Sequence, residues 1–149
     1  MSEQLLLFQL DRHQLGIRVR HVREIVRCVA LTAPLRDSTA LEGVFSLRGR
    51  TVPVVSLARA LGLSTRKPSP SDFLIVLENE ADLWAMRVDG GLETVEAEGL
   101  ETEPSSLHPL MPESLHVGDR IVFLPDLHQV EQLVNPDDRS LKASERMTE

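Results

Sequence analysis

Apolar and polar positions change period several times along the chain, and each change marks an element. Residues 5–10, LLLFQL, form a nearly continuous apolar run that ends in the polar turn Asp11-Arg12-His13-Gln14. Beyond it Leu15, Ile17 and Val19 alternate with Gly16, Arg18 and Arg20. A period of two puts alternate side chains on one face, so the two runs predict a hairpin. At His21 the spacing becomes three and four, with Val22, Ile25, Val26 and Val29 apolar. That suits a turn of helix with Arg23 and Glu24 outward, followed by strand from Ile25. Residues 31–41 contain Pro34, Asp37, Ser38 and Thr39 and read as loop.

The stretch 43–63, GVFSLRGRTVPVVSLARALGL, predicts strand, tight turn, strand and short helix. Gly49 supplies the positive φ of the reversal, and the turn pushes Arg48 and Arg50 towards water. Pro53 donates no ladder hydrogen bond, so it belongs at an edge, a strand start or a bulge. Ser56 suits a helix N-cap and Gly62 the stop. Residues 64–72, STRKPSPSD, read as a surface crossing between two halves. Residues 73–77 and 83–88 are apolar strands around a polar turn, Gly90-Gly91 a bend, and 92–97 an acidic strand. Residues 99–114 hold three prolines and read as irregular, whereas 121–124 is a final strand. Pro125 and Asp126 suit the start of a helix with Leu127, Val130, Leu133 and Val134 on one stripe. The polar end, 135–149, is expected to be a flexible tail, leaving one folded unit over 3–134. The pattern predicts an all-β class with short helices, built as small barrels, and no repeat of fixed period is visible.

Composition narrows the function. Hydrophobic residues make up 42% of the 149, but aromatics only 3%, with no Tyr and one Trp. The core must therefore be Leu and Val, and the shortage of aromatics argues against a base-stacking surface for nucleic acid. A net charge of −7 points the same way, because phosphate binding needs a basic excess. One cysteine, Cys28, forms no internal disulfide and fits a reducing cytosol. No apolar run approaches about 20 residues, so no transmembrane helix is expected.

The candidate chemistry is sparse. His13, His21, His108, His116 and His128 never fall at ligand spacing beside a second His or Cys, which argues against a metal. Cys28 lies in an apolar stretch with no activating neighbour. Glu93, Glu96, Glu98, Glu101 and Glu103 read as a solvated acidic edge that discourages strand-to-strand aggregation. The Arg48-Gly49-Arg50 tip is the exception. A guanidinium on a stiff turn flanked by Val44 and Leu47 has the character of an interface anchor.

The run GVFSLRGRTVPVVSLARALGL resembles the signature of CheW-like chemotaxis coupling proteins, roughly G-V-x-N-L-R-G-x-x-x-P-V-I-D-L-x-x-x-L-G. Upstream, LLLFQLDRHQLGIRVRHVREIVR is similar to the family's opening strand pair and its Val-x-Glu-Ile. FLIVLE, LWAMRVD and IVFLPDL resemble later family strands. Ser46 stands for the family Asn, Ser56 for the Asp before the short helix, and Leu15 for the aromatic before Gly16. The resemblance implies two packed five-stranded barrels of SH3 type, no catalysis, and no cofactor or metal. It implies a cytoplasmic adaptor that joins the regulatory domain of a CheA-type histidine kinase to a chemoreceptor tip, without membrane insertion, in arrays where self-association stays open. It places Val22, Glu24, Gly43, Val44 and Arg48 in the partner-binding region. A divergent pathway, such as pilus motility or second-messenger control, and a small-ligand sensor with a cavity between the barrels are the alternatives.

Overall fold

The computed structural model describes residues 2–34, 40–63, 67–79, 82–98 and 101–134. Two sheets carry the chain. The first strand pair is β1 (Ser2–Leu10) and β2 (His13–Arg18), antiparallel around Asp11-Arg12. A single 3-10 turn, Val19–His21, leads into β3 (Val22–Arg27). The helical turn expected after His21 thus closes just where it was to begin. Its β-branched residues pair with β6 instead, because an extended Val/Ile run gains more by joining a sheet. The signature stretch gives β4 (Leu41–Leu47), β5 (Arg50–Ser56) and α1 (Leu57–Ala60). Then come β6 (Phe73–Asn79), β7 (Asp82–Val88), β8 (Gly90–Glu98), β9 (Glu103–His108), β10 (Met111–Val117), β11 (Arg120–Leu124) and α2 (Leu127–Gln132). The expected tail, 135–149, lies outside the described residues.

The five-stranded sheet has the order β3-β6-β7-β5-β4, and the six-stranded sheet β8-β1-β2-β11-β10-β9. These are the same arrangement twice. In each, an edge strand pairs with a hairpin (β3 with β6-β7, β8 with β1-β2). The hairpin's second strand then runs parallel to the second strand of another hairpin (β7 with β5, β2 with β11). In each barrel the last of these strands, β5 or β11, feeds a capped helix. Ser56 Oγ accepts from Arg59 N at 3.2 Å, and Asp126 Oδ1 from His128 N at 3.1 Å. The repeat is topological and has no sequence period, because the N-terminal hairpin completes the barrel built mainly by the C-terminal strands.

Two expectations are corrected by this connectivity. The crossing expected at 64–72, of which 64–66 lie outside the described residues, is not one between barrels, since the flanking β5 and β6 belong to one sheet. The crossings fall at Val19–His21 and at Asp89. The second correction is 99–114, where β9 and the start of β10 replace the irregular segment; residues 99 and 100 lie outside the described ones. Pro104 is tolerated because β9 is an edge strand, and Pro112 sits at the register shift between Met111 and Glu113. That sheet therefore has six strands instead of five.

Alternation along the apolar runs divides the core. Leu5 and Leu7 pack with Leu115, Val122 and Leu124 inside the six-stranded barrel. Leu74, Val76, Leu83 and Ala85 pack with Phe45, Val52 and Val54 inside the five-stranded one. The intervening residues Leu6, Phe8, Leu10, Ile75, Leu77, Trp84, Met86 and Val88 meet in a third cluster between the barrels, joined by Leu15, Leu57 and Val130. Each full burial is worth about 1.5–3 kcal/mol, against about 0–1 kcal/mol for a surface ion pair, so apolar contact fastens the barrels together.

Gly16 belongs to this packing. A Cβ there would lie 2.9 Å from Val122 Cγ1 and 3.0 Å from Leu7 Cδ2, both inside a filled core. Gly16→Ala is expected to lower stability by about 1–3 kcal/mol through overpacking, read as a fall in the urea midpoint at unchanged slope.

Candidate functional site

The signature hairpin turns on two residues, Arg48 (φ 48°) and Gly49 (φ 82°). Two positive φ values are what a two-residue reversal between twisted strands requires. Glycine accepts this readily, whereas Arg48 is held in a left-handed conformation that side chains avoid. The turn is one residue shorter than the sequence suggests, since Arg50 already pairs with Leu47 in β5.

The Arg48 guanidinium lies across the Glu24 carboxylate on β3. Nη1 donates to Oε2 at 3.3 Å and Nη2 donates to Oε1. Hydrogen bonding to Glu24, with its charge, raises the Arg48 pKa above the ordinary arginine value. Glu24 is 26% exposed and Arg48 68%, so one face of the guanidinium is pinned and the rest meets solvent. β3 and β4 are the two edges of the five-stranded sheet, and this pair joins them. A register shift between Val22 and Glu24 gives β3 a bulge there, the kind of irregularity that re-aims a side chain.

Gly43 and Val44 form the backbone part of the same seam. Val44 exchanges two hydrogen bonds with Thr32, at 2.8 and 2.9 Å. Those bonds point away from β5, so Pro53, opposite Val44, turns its missing N–H away from β4, where pairing with β7 begins only at Val54. A Cβ on Gly43 would stand 2.7 Å from the Thr32 carbonyl oxygen. Val22, the fifth expected residue, is half-buried against the core between the barrels and stands beside Leu77. The structure thus brings Glu24 and Arg48 into contact, makes Gly43 and Val44 the seam behind them, and uses Val22 for packing.

Sequence reasoning missed one group entirely. Arg87 on β7 is buried inside the five-stranded barrel, with Nε 2.7 Å from Glu42 Oε1 and Nη1 2.9 Å from Asp72 Oδ2. The readable signal was an arginine in LWAMRV, a strand otherwise apolar on both faces. Among the described residues no group of three or more His, Cys, Asp or Glu could hold a metal ion.

The family model of the CheW-like domain matches residues 4–134. The chain belongs to the CheW-like family. The chemotaxis protein CheW of Thermotoga maritima is 27% identical over 95 residues, 62% of this chain and 63% of that protein. A probable chemotaxis protein CheW of Rhizobium etli is 26% identical over 88 residues, 59% of this chain and 57% of that protein. The match thus spans less than two thirds of either relative. The crystal structure of the scaffolding protein TtCheW from Thermoanaerobacter tengcongensis has a TM-score of 0.78 at 22% identity, covering 87% of this chain and 88% of that one. It shares the two-sheet fold.

Departures from the CheW-like signature fall where the fold absorbs them. Ser56 in place of Asp still caps α1. Leu15 in place of an aromatic fills the core between the barrels. Ser46 in place of Asn is exposed on β4 and pairs with Thr51.

Gly43 has no such latitude, because the obstacle is a backbone oxygen tied into the seam. Gly43→Ala is expected to cost about 1–3 kcal/mol in a urea titration. The amides of Thr32 and Val44 should lose hydrogen-exchange protection together while those of β1 keep theirs.

Proposed function

We propose that this chain is a non-enzymatic adaptor that couples the cytoplasmic tip of a chemoreceptor to the regulatory domain of a CheA-type histidine kinase. The observation that carries the reading is the placing of Arg48 on the turn itself, left-handed and 68% exposed, with Glu24 fixing its guanidinium on a stiff hairpin corner. An anchor that is already ordered loses little side-chain entropy on docking, and arginine is among the residues that dominate interfaces. Ile25, next to Glu24 and 39% exposed, adds apolar surface at the same edge. Family membership and the chemotaxis names of the curated relatives support the pathway, and the resemblance of Arg48 and Glu24 to family positions supports the partners.

The adaptor works in the cytoplasm. No helix among the described residues is long and apolar enough to cross a membrane. A small-molecule sensor would need a cavity between the barrels. Two clefts among the described residues, of about 340 and 490 Å³, are lined by one barrel's elements or the chain leaving it, the first by Arg18, Glu113 and Asp126, the second by Val29, Leu31 and Pro70. Val22, Gly43 and Val44 contribute by holding the corner in place.

Arg48→Glu sets two carboxylates against each other at the corner. The melting temperature should stay within a few degrees of wild type, since the pair is exposed. Affinity for the kinase regulatory domain or the receptor tip, each titrated alone, should fall by about tenfold or more. Unchanged affinity for both partners overturns the reading.

A further inference from the structure

Arg87 is 4% exposed, and the carboxylates it binds are buried as deeply, Glu42 at 1% and Asp72 at 0%. Burial works against the charge on the guanidinium, but hydrogen bonding and charge from Glu42, then from Asp72, outweigh it and raise its pKa. Such a group is a poor source of stability compared with apolar packing, so its position calls for a reason.

The reason lies in what its two partners hold. Glu42 stands at the register shift of β4, between Leu41 and Gly43, and its carboxylate turns into the barrel from that bulge. Asp72 precedes β6, and its main-chain carbonyl accepts from Cys28 N at 2.9 Å, one residue beyond β3. Its carboxylate also accepts from Ser69 N at 2.9 Å, which fixes the loop. One guanidinium therefore fastens the start of β4 and the chain leaving β3. Those are the two edges that must stay in register for Val44 to reach Thr32 and for Arg48 to reach Glu24. On its outer side β4 has the isolated bridge from Val44 to Thr32 among the described residues, so the ion pairs of Arg87 add a tie from within.

We propose that Arg87 is a positioning residue for the Glu24–Arg48 corner, acting from inside the barrel through Glu42 and Asp72. The partner-binding arm of this inference rests on the adaptor reading above, and the geometric arm does not. Lysine cannot replace it, because one ammonium lacks the fork that spans two carboxylates.

The test uses the full chain with Arg87→Met and, should that variant fold poorly, Glu42→Gln. The Arg48 guanidinium signal, followed at its Nη–Hη groups in a low-temperature NMR spectrum, reads the corner directly, since those groups donate to Glu24. It is expected to move to the position of a free arginine in the tested variant, with affinity for the partner that Arg48→Glu weakens falling by about tenfold. Val122→Ala, in the other barrel and compared at a temperature giving the same folded fraction, controls for lost stability. An Arg48 signal left in place by Arg87→Met or Glu42→Gln, or moved as far by Val122→Ala, overturns the inference. A moved signal with no partner affected even by Arg48→Glu upholds the positioning role and removes the adaptor reading instead.

Discussion

Everything in this fold depends on strands that are buried on both faces. In β1, β6 and β7 the odd and even side chains go to different cores, one inside a barrel and one between the barrels. A strand so placed has no polar face, which is why these runs read LLLF, LIVL and LWAM. The interior between the barrels cannot be opened without exposing half of each strand. The barrels therefore behave as one body although their sheets are separate.

Strand exchange follows from the same constraint. The first hairpin, β1-β2, inserts into the sheet of the last strands, so the C-terminal barrel is closed by the N-terminus. Contacts of such long sequence separation tie both ends of the folded unit to its centre, at a price in folding speed. The chain between them, β3 to β7, is free to form a barrel of its own, and its two edges, β3 and β4, meet at the seam that carries the candidate site.

How much of this was legible in the sequence depended on whether a local rule decided the outcome. The 43–63 stretch was readable because each step had a local cause: Gly49 for the turn, Pro53 beside an unpaired stretch, Ser56 for the cap, Gly62 (φ 75°) for the stop. The site residues were legible by resemblance, yet the contact between Glu24 and Arg48 was not, because it spans 24 residues and depends on a bulge at Arg23. The strand β9 was missed because proline counts locally against a strand, while the edge position that excuses Pro104 is a fact of the assembled sheet. The topological repeat was hidden for a similar reason. Its matched elements, such as RIVFLPDL after the β10 turn and RTVPVVSL after the β4 turn, share capping and burial more than residue identity.

The repeat also separates what closes a barrel from what marks a site. At the corresponding corner of the six-stranded barrel, Arg120 at the start of β11 binds Glu93 on the edge strand β8, at 2.8 and 3.4 Å. Hydrogen bonding to Arg120 lowers the Glu93 pKa, so the pair is an ion pair in the same sense as the first. A clasp from hairpin to opposite edge is thus a solution both barrels use to keep an open sheet curled, and its presence alone argues for no partner. What differs is the setting. The arginine of the first corner sits on the turn itself with a left-handed backbone, its partner Glu24 is followed by the exposed Ile25, and the seam behind them admits only glycine at 43 and is braced from within by Arg87. In the second, Arg120 lies on the strand, and the positive φ of its turn falls on Gly118. A strained residue persists only where its surroundings over-determine it; Asp11 in the β1–β2 turn is left-handed too (φ 56°), but only at the first corner is the strained residue itself the arginine of a clasp.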